Sequence, residues 1–450
     1  MASETTAPVT LGDATPAPYG VQEKTAAADS ASPGNSSSSG EDSDCHNDDT
    51  PPDGGAPAWL CVLGAWCASF VSYGWINSIG TWQEYYQNGP LKAYSPSQIS
   101  WITSLQVFFI SFLGPVIGQV YDRGGMRHLI RVGSFMHVFG LMMASLSTEY
   151  YQILLSQGVC SSIGVAMVFV CAFSTISDWF LKRRGLAFGV LATGSSLGGV
   201  IFPIMTSNLI KTVGYGWAMR IDAFLIMALL VVSNLTVRSR RAPRPVKLNR
   251  ESLARPFTEV TFNLLVLGLF LMPFGMYVPI TYLPVAAQGE GHVSSAMAIN
   301  LVSFYNAASL FGRLGSGWLS DRYGKYNIYI ICGYLSGILV LGMWIPASTE
   351  AAVIAFALLF GLASGAYISL MGALVPCISP MEEIGYRNGI TFLSSAIGGL
   401  ITSPIAGMIL VTPAGWTGLK LFAGVFLLAG TTGVVFARVS RTGLKLDAIF

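Results

Sequence analysis

From Ala58 to about residue 437 the sequence is a succession of apolar runs of some 20 residues, and no other feature restricts its fold as tightly. A helix of about 20 apolar residues crosses the roughly 30 Å hydrocarbon core of a bilayer. Inside that core only helices and closed barrels satisfy every backbone group. Twelve such runs are read, at about 58–80, 99–121, 128–147, 151–176, 186–209, 217–237, 261–285, 294–316, 326–346, 351–375, 388–411 and 417–437. Charged residues make up 11% of the chain and hydrophobic ones 52%, against about 25% charged in a soluble domain. The expected fold class is therefore an all-α polytopic membrane protein with twelve transmembrane helices, embedded in a lipid bilayer.

Lysine and arginine orient the runs. Arg123 and Arg127 follow the second run, Lys182, Arg183 and Arg184 the fourth, and a basic stretch from Arg238 to Arg255 the sixth. Arg322 and Lys325 follow the eighth, Arg387 the tenth, and Arg438, Arg441 and Lys445 the twelfth. The alternate loops hold few, Lys92 and Lys211 being the clear exceptions. Positive residues stay inside, which predicts both termini in the cytoplasm. The predicted organisation is a tail over 1–56, six helices over 57–237, a basic linker over 238–260, six helices over 261–438 and a tail over 439–450. The first segment is rich in Ser, Asp and Gly and too polar to fold alone, so it is expected to be a disordered cytoplasmic tail.

The two halves repeat. Gly118-Gln-Val-Tyr-Asp122-Arg123-Gly124 returns as Gly317-Trp-Leu-Ser-Asp321-Arg322-Tyr-Gly324, with the aspartates 199 positions apart. Gly198-Gly199 and Pro203 in the fifth run return as Gly398-Gly399 and Pro404 in the eleventh. Matched segments at a fixed offset indicate an internal duplication. Small residues let helices approach closely in lipid. Two parallel six-helix repeats are the plan of carriers that work by alternating access.

The repeated Gly-x-x-x-Asp-Arg-x-Gly resembles the characteristic loop of the major facilitator superfamily, over roughly residues 57–438. Within it the chain resembles the monocarboxylate porter family, in particular its fungal members. Trp179-Phe180-Leu-Lys182-Arg183-Arg184-Gly-Leu186-Ala187 carries that likeness, with Asp53-Gly54-Gly55 and Trp59 before the first run as a second match, at which the family's own spacing is shorter. The resemblance implies two six-helix bundles of the MFS fold and transport of small organic acids. It also places a helix 1 lysine of the animal carriers at Asn77, and the acid of their helix 8 Asp-x-x-x-Arg pair at Ser309, so that pair is incomplete here.

Arg313 is the sharpest candidate residue, since a charge inside a membrane helix requires a polar cavity or partner. Tyr305, Asn306 and Ser309 share about one helical face with it, and a guanidinium fork there can hold a carboxylate bidentately. The rival reading has Arg313 near the cytoplasmic end, reaching lipid phosphates or pairing with a gate acid. Tyr73 and Asn77 form a polar i, i+4 pair that either lines a central cavity or bonds a neighbouring helix. Tyr277, Tyr282, Tyr367 and Ser394 are weaker candidates for a lining. Asp222 is a candidate proton site, or a hydrated acid near the outer surface. Gly118, Asp122, Arg123, Arg127, Gly317, Asp321 and Arg322 are expected to act in gating, through a charge pair or helix-end contact between the halves.

Enzyme chemistry finds little support. Gly194-Ser195-Ser196-Leu197-Gly198 has the spacing of a nucleophile elbow but lies inside a membrane run rather than at a strand–helix turn. No metal-ligand spacing, phosphate loop or dinucleotide fingerprint occurs, so no cofactor or metal is expected, and the near-neutral charge of +2 does not point to nucleic acid. The expected function is a secondary active or facilitative carrier of a small organic acid or related metabolite, with a proton as the candidate coupling ion. The alternative is an efflux transporter for a fungal secondary metabolite. A non-transporting nutrient sensor ranks below both. The plasma membrane is the expected site, with the vacuole or another endomembrane as alternatives.

Overall fold

A computed structural model describes residues 51–240, 250–291, 293–445 and 450. Most of the expected N-terminal tail, linker positions 241–249, with Arg241, Arg244 and Lys247, and tail positions 446–449 therefore lie outside the described residues. Among the described residues all regular structure is helical. In the first half the α-helices are α1 (Ala56–Ser69), α2 (Ile79–Asn88), α3 (Pro96–Phe112), α4 (Gly114–Gly124), α5 (Met126–Ala144), α6 (Tyr150–Ile153), α7 (Ser162–Trp179), α8 (Arg184–Val213) and α9 (Tyr215–Thr236). The second half holds α10 (Arg250–Thr258), α11 (Val260–Gly289), α12 (Ser295–Tyr323), α13 (Lys325–Leu339), α14 (Glu350–Ile378), α15 (Ile384–Leu410) and α16 (Gly415–Thr442).

Nine helical segments among the described residues are long and apolar enough to cross a membrane, and the bent pair Gln98–Phe112 and Gly114–Gly124 makes a tenth. Helices also form at the two other predicted runs, as α5 and α12. They are less apolar because Arg127 and Arg131 enter the first and Asn306, Arg313, Asp321 and Arg322 the second. The 40° bend between α3 and α4 falls at Leu113, just before Pro115, where a proline cannot donate back into the preceding turn. The first span is interrupted too. A π-helical turn over Phe70–Gly74 is followed by a break at Asn77 and Ser78 before α2 begins. Such π-turns relax the helical ladder and often mark functional positions.

Small residues decide where the halves touch. α4 packs on α15, and α8 on α12. A Cβ added to Gly118 would overlap the Gly385 carbonyl, and one on Gly317 would stand 2.5 Å from the carbonyl of Gly185. Each pair is a backbone-to-backbone contact open only to glycine. The two contacts are related by the internal repeat.

Asp53, inside the segment read as a tail, holds a defined place. Its carboxylate accepts from three successive amides, Leu181 (2.6 Å), Lys182 (2.6 Å) and Arg183 (3.2 Å), while its own amide donates to the Trp179 carbonyl. Amides just before a helix have no partner within it. The second motif match of the sequence is thus an anchor for the start of α8.

Candidate functional site

The aspartates of the repeated loop cap helices of the opposite half. Asp122 accepts from the amides of Gly385 (2.9 Å) and Tyr386 (2.8 Å) at the start of α15. Asp321 accepts from Gly185 and Leu186, both at 2.8 Å, at the start of α8. A carboxylate there satisfies orphan amides and meets the positive end of the helix dipole. Arg123 is half-buried and Arg127 exposed, and the Arg322 guanidinium lies 3.9 Å over the Trp318 ring.

On the same face α10 joins the contact. The Tyr386 hydroxyl donates to the Leu253 carbonyl. The Arg387 side chain, 0% exposed, makes a bidentate pair with Glu259 (2.7 and 2.6 Å) and reaches Glu383 at 2.9 Å. Hydrogen bonding from Arg387 holds the Glu259 carboxyl below the usual carboxylate range.

Beyond these caps lies a cavity of about 1050 Å³. Its position follows from the order of residues along α8. Gly185 and Leu186 meet Asp321, Ser195 stands about 13 Å further along the helix, and the cavity wall continues to Asn208. α15 repeats the order, with Gly385 and Tyr386 capped and Phe392, Ser395 and Gly399 on the wall. The cavity therefore occupies the side of the protein away from the capped helix starts, and both halves contribute to it.

Of the residues singled out in the sequence, Tyr73, Asn77, Tyr305, Asn306 and Arg313 line this cavity, as do Tyr277 and Tyr367. Ser309, Tyr282 and Ser394 are not part of the wall. Ser309 is fully buried and accepts from Arg313 Nε at 3.2 Å. Arg313 also reaches across to the first half. Its Nη1 donates to the Ala192 carbonyl (2.5 Å) and to the Ser195 hydroxyl. The Asn77 amide donates to the Ser195 carbonyl at 3.5 Å. Among the described lining residues Arg313 alone is charged.

Asp222 is 0% exposed rather than hydrated. Its Oδ2 accepts from the Thr206 hydroxyl at 2.7 Å, and its Oδ1 has no hydrogen-bond partner. It is absent from the cavity wall. Its partner Thr206 is likewise absent from the wall, which α8 forms with Pro203 and Ser207 instead.

Three parts of the site carried little signal in the sequence. Ser195 read as a packing residue in a small-residue stretch, yet its hydroxyl receives Arg313. Phe392 had no mark beyond hydrophobicity. It lines the cavity and packs on Phe169 and Phe173 of the other half, at centroid distances of 5.5 and 4.9 Å. Asp53 was visible only through its match to a family motif.

Comparison with known proteins agrees with this architecture. The model of the Major Facilitator Superfamily matches residues 59–352 and again 265–448. The chain is 54% identical over 400 residues to the MFS transporter asaE of Aspergillus flavus, covering 88% of this chain and 90% of that one. It is 53% identical over 405 residues to the fujikurins efflux protein of Gibberella fujikuroi, covering 90% and 87%. The agnestins efflux protein of Paecilomyces divaricatus is 39% identical over 396 residues, with 87% and 90% covered. Among solved structures, the transporter FucP in the outward conformation superposes with a TM-score of 0.69 at 15% identity, covering 84% of this chain and 98% of that one. A bacterial homologue of the iron transporter ferroportin in the outward-facing state gives 0.70 at 14% identity, with 86% and 100% covered. With a two-half helical fold, a shared cavity and a family match along almost the whole span-bearing region, the chain belongs to the Major Facilitator Superfamily.

Proposed function

We propose that this transporter exports a small organic metabolite, acidic or rich in hydrogen-bond acceptors, by alternating access. The observation that carries the reading is Arg313. It is the charged residue of a cavity lined by both halves, and it is bonded across those halves at the cavity's inner end. A cargo carboxylate or enolate entering there competes with Ala192 and Ser195 for the guanidinium. Occupancy of the cavity is thereby linked to the contact that keeps its inner end shut. Tyr73, Asn77, Tyr305 and Asn306 line the cargo site, while Ser309 orients Arg313 from behind.

Export rather than uptake is favoured by the efflux proteins among its relatives. Monocarboxylate transport is the second reading, supported by Arg313 and weakened by Asn77 and Ser309, which stand where the animal carriers hold a lysine and an acid. In either case work is done by binding and conformational change, without bond-making chemistry. With the basic loops inside, both termini are cytoplasmic, and the capped end carrying Gly118, Asp122, Arg123, Arg127, Gly317, Asp321 and Arg322 is the cytoplasmic gate. The cavity then faces outward. The plasma membrane fits export, and Asp222 is the acid proposed to couple a proton.

The test compares metabolites inside and outside cells of a deletion strain and an overexpressing one. Accumulation inside the deletion strain of a compound found outside the overexpressor supports export. Identical profiles remove the reading.

A further inference from the structure

The cavity wall is rich in rings and poor in charge. Four phenols, Tyr73, Tyr277, Tyr305 and Tyr367, come from four different helical segments of both halves. Tyr305 accepts from the Ser364 hydroxyl at 3.3 Å and keeps its own proton for a guest, whereas Tyr367 donates to Ser395 at 3.3 Å and offers a guest only its oxygen. Among the described lining residues no carboxylate stands near Arg313 to receive a cation. A positively charged guest would therefore meet a guanidinium with no counter-charge, which costs heavily in a low-dielectric cavity.

Phe392 adds a second, independent observation. Its ring is part of the wall, yet it is only 7% exposed because Phe169 and Phe173 hold it from the opposite half. Tyr73 closes the same cluster, edge-on to Phe169 at 4.7 Å. The inner end of the cavity thus presents aromatic surfaces, fixed by contacts between the halves, beside hydroxyl donors. Fixed rings favour a guest that is itself a flat ring, because offset or edge-on pairs add to simple burial and little side-chain freedom is lost.

Building on the export reading, we propose that the cavity selects cargo carrying a planar aromatic ring system with carbonyl or hydroxyl acceptors and no positive charge, and that Phe392 is a determinant of this selectivity. Because Phe392 belongs both to the wall and to the closed contact, an aryl group stacked on it touches the part that must open.

The full-length protein in lipid nanodiscs tests this by equilibrium binding of 2-naphthol, decahydro-2-naphthol and 2-naphthylmethylammonium. The expected preference for 2-naphthol over its saturated counterpart is about fivefold to tenfold, and the ammonium compound binds weakest. Phe392→Leu brings the aromatic-to-saturated ratio toward one, and Phe392→Tyr, which keeps a ring, preserves it. A melting curve of each variant confirms that it is folded. Should Phe392→Leu fail to fold, Phe392→Met, which also lacks a ring, takes its place in the same comparison. Equal binding of the two naphthalene-sized alcohols, equal or tighter binding of the ammonium compound, or an unaltered ratio in folded Phe392→Leu overturns the proposal. Failure of the export reading has a separate signature. Identical metabolite profiles in the deletion and overexpressing strains, with the binding ratio intact, remove export and leave the selective cavity, whereas differing profiles with equal binding of the two alcohols leave export standing and remove aromatic selection.

Discussion

Arg313 donates from one half of the protein to the Ser195 hydroxyl of the other, so the charged residue of the cavity wall is also a bond across the closed inner end. Ser309 and the Ala192 carbonyl complete its shell. Truncating one partner of a buried, charge-assisted hydrogen bond costs about 1.5–3 kcal/mol. Arg313→Ala is expected to lower transport of an acidic cargo by at least about tenfold, and Arg313→Lys to recover only part, since an ammonium lacks the fork that spans two acceptors. Rates in proteoliposomes measure both. Wild-type rates in Arg313→Ala would exclude the residue from the mechanism.

The caps made by Asp122 and Asp321 are present only while the inner ends of α4 and α15, and of α12 and α8, are in contact. Losing a helix cap costs about 1 kcal/mol. Asp321→Asn is therefore expected to shift the population several-fold toward the state open at this end. A cysteine placed at Ser320, which is 1% exposed here, reports the shift as faster labelling by a thiol reagent. Unaltered labelling in both Asp122→Asn and Asp321→Asn would show that the caps do not hold the closed state.

Gly118→Val tests the same contact sterically. The added atoms overlap the Gly385 carbonyl, so the closed arrangement of α4 and α15 cannot form. Transport is expected to fall by more than about tenfold, with the protein still inserted and monodisperse. Normal transport would mean the two helices never need to approach this closely.

Asp222 is buried in α9 with one oxygen accepting from Thr206 of α8 and the other without a partner. Asn fits the same space and keeps an acceptor for Thr206 but binds no proton. If Asp222 couples a proton, Asp222→Asn retains binding and loses the dependence of transport on an imposed pH gradient. A variant with unchanged pH-gradient dependence would leave Asp222 a purely structural residue.

Glu259 shares the buried Arg387 guanidinium with Glu383. Its carboxyl is held below the ordinary range, chiefly by the hydrogen bonds from Arg387. A depressed folded-state pKa contributes stability above the unfolded value and loses it as pH falls through the folded value. Wild type should melt above Glu259→Gln at neutral pH, and the gap should close on acidification into the range below an ordinary carboxylate. A gap that stays constant with pH would contradict the assignment.

The sequence alone marked the apolar runs, displayed a repeat at a fixed offset, and carried the likeness to the superfamily that the family match bears out. These are local or periodic properties: lipid demands about 20 apolar residues per span, and a repeat is visible without knowing what it touches. It also marked Arg313 and Asp122, because a charge among apolar residues is conspicuous. Their partners were not legible. Ser195 is 118 positions from Arg313 and Gly385 is 263 from Asp122. No short-range pattern encodes such pairs. Only the tertiary structure brought them together, through glycine contacts that let helices of opposite halves touch backbone to backbone. The same packing decided that Phe392, an unremarked aromatic residue in the eleventh run, faces the cavity, and that Asp222 is enclosed rather than hydrated. Helical periodicity says that a face is apolar, whereas which faces converge on one cavity depends on how all the spans are packed at once.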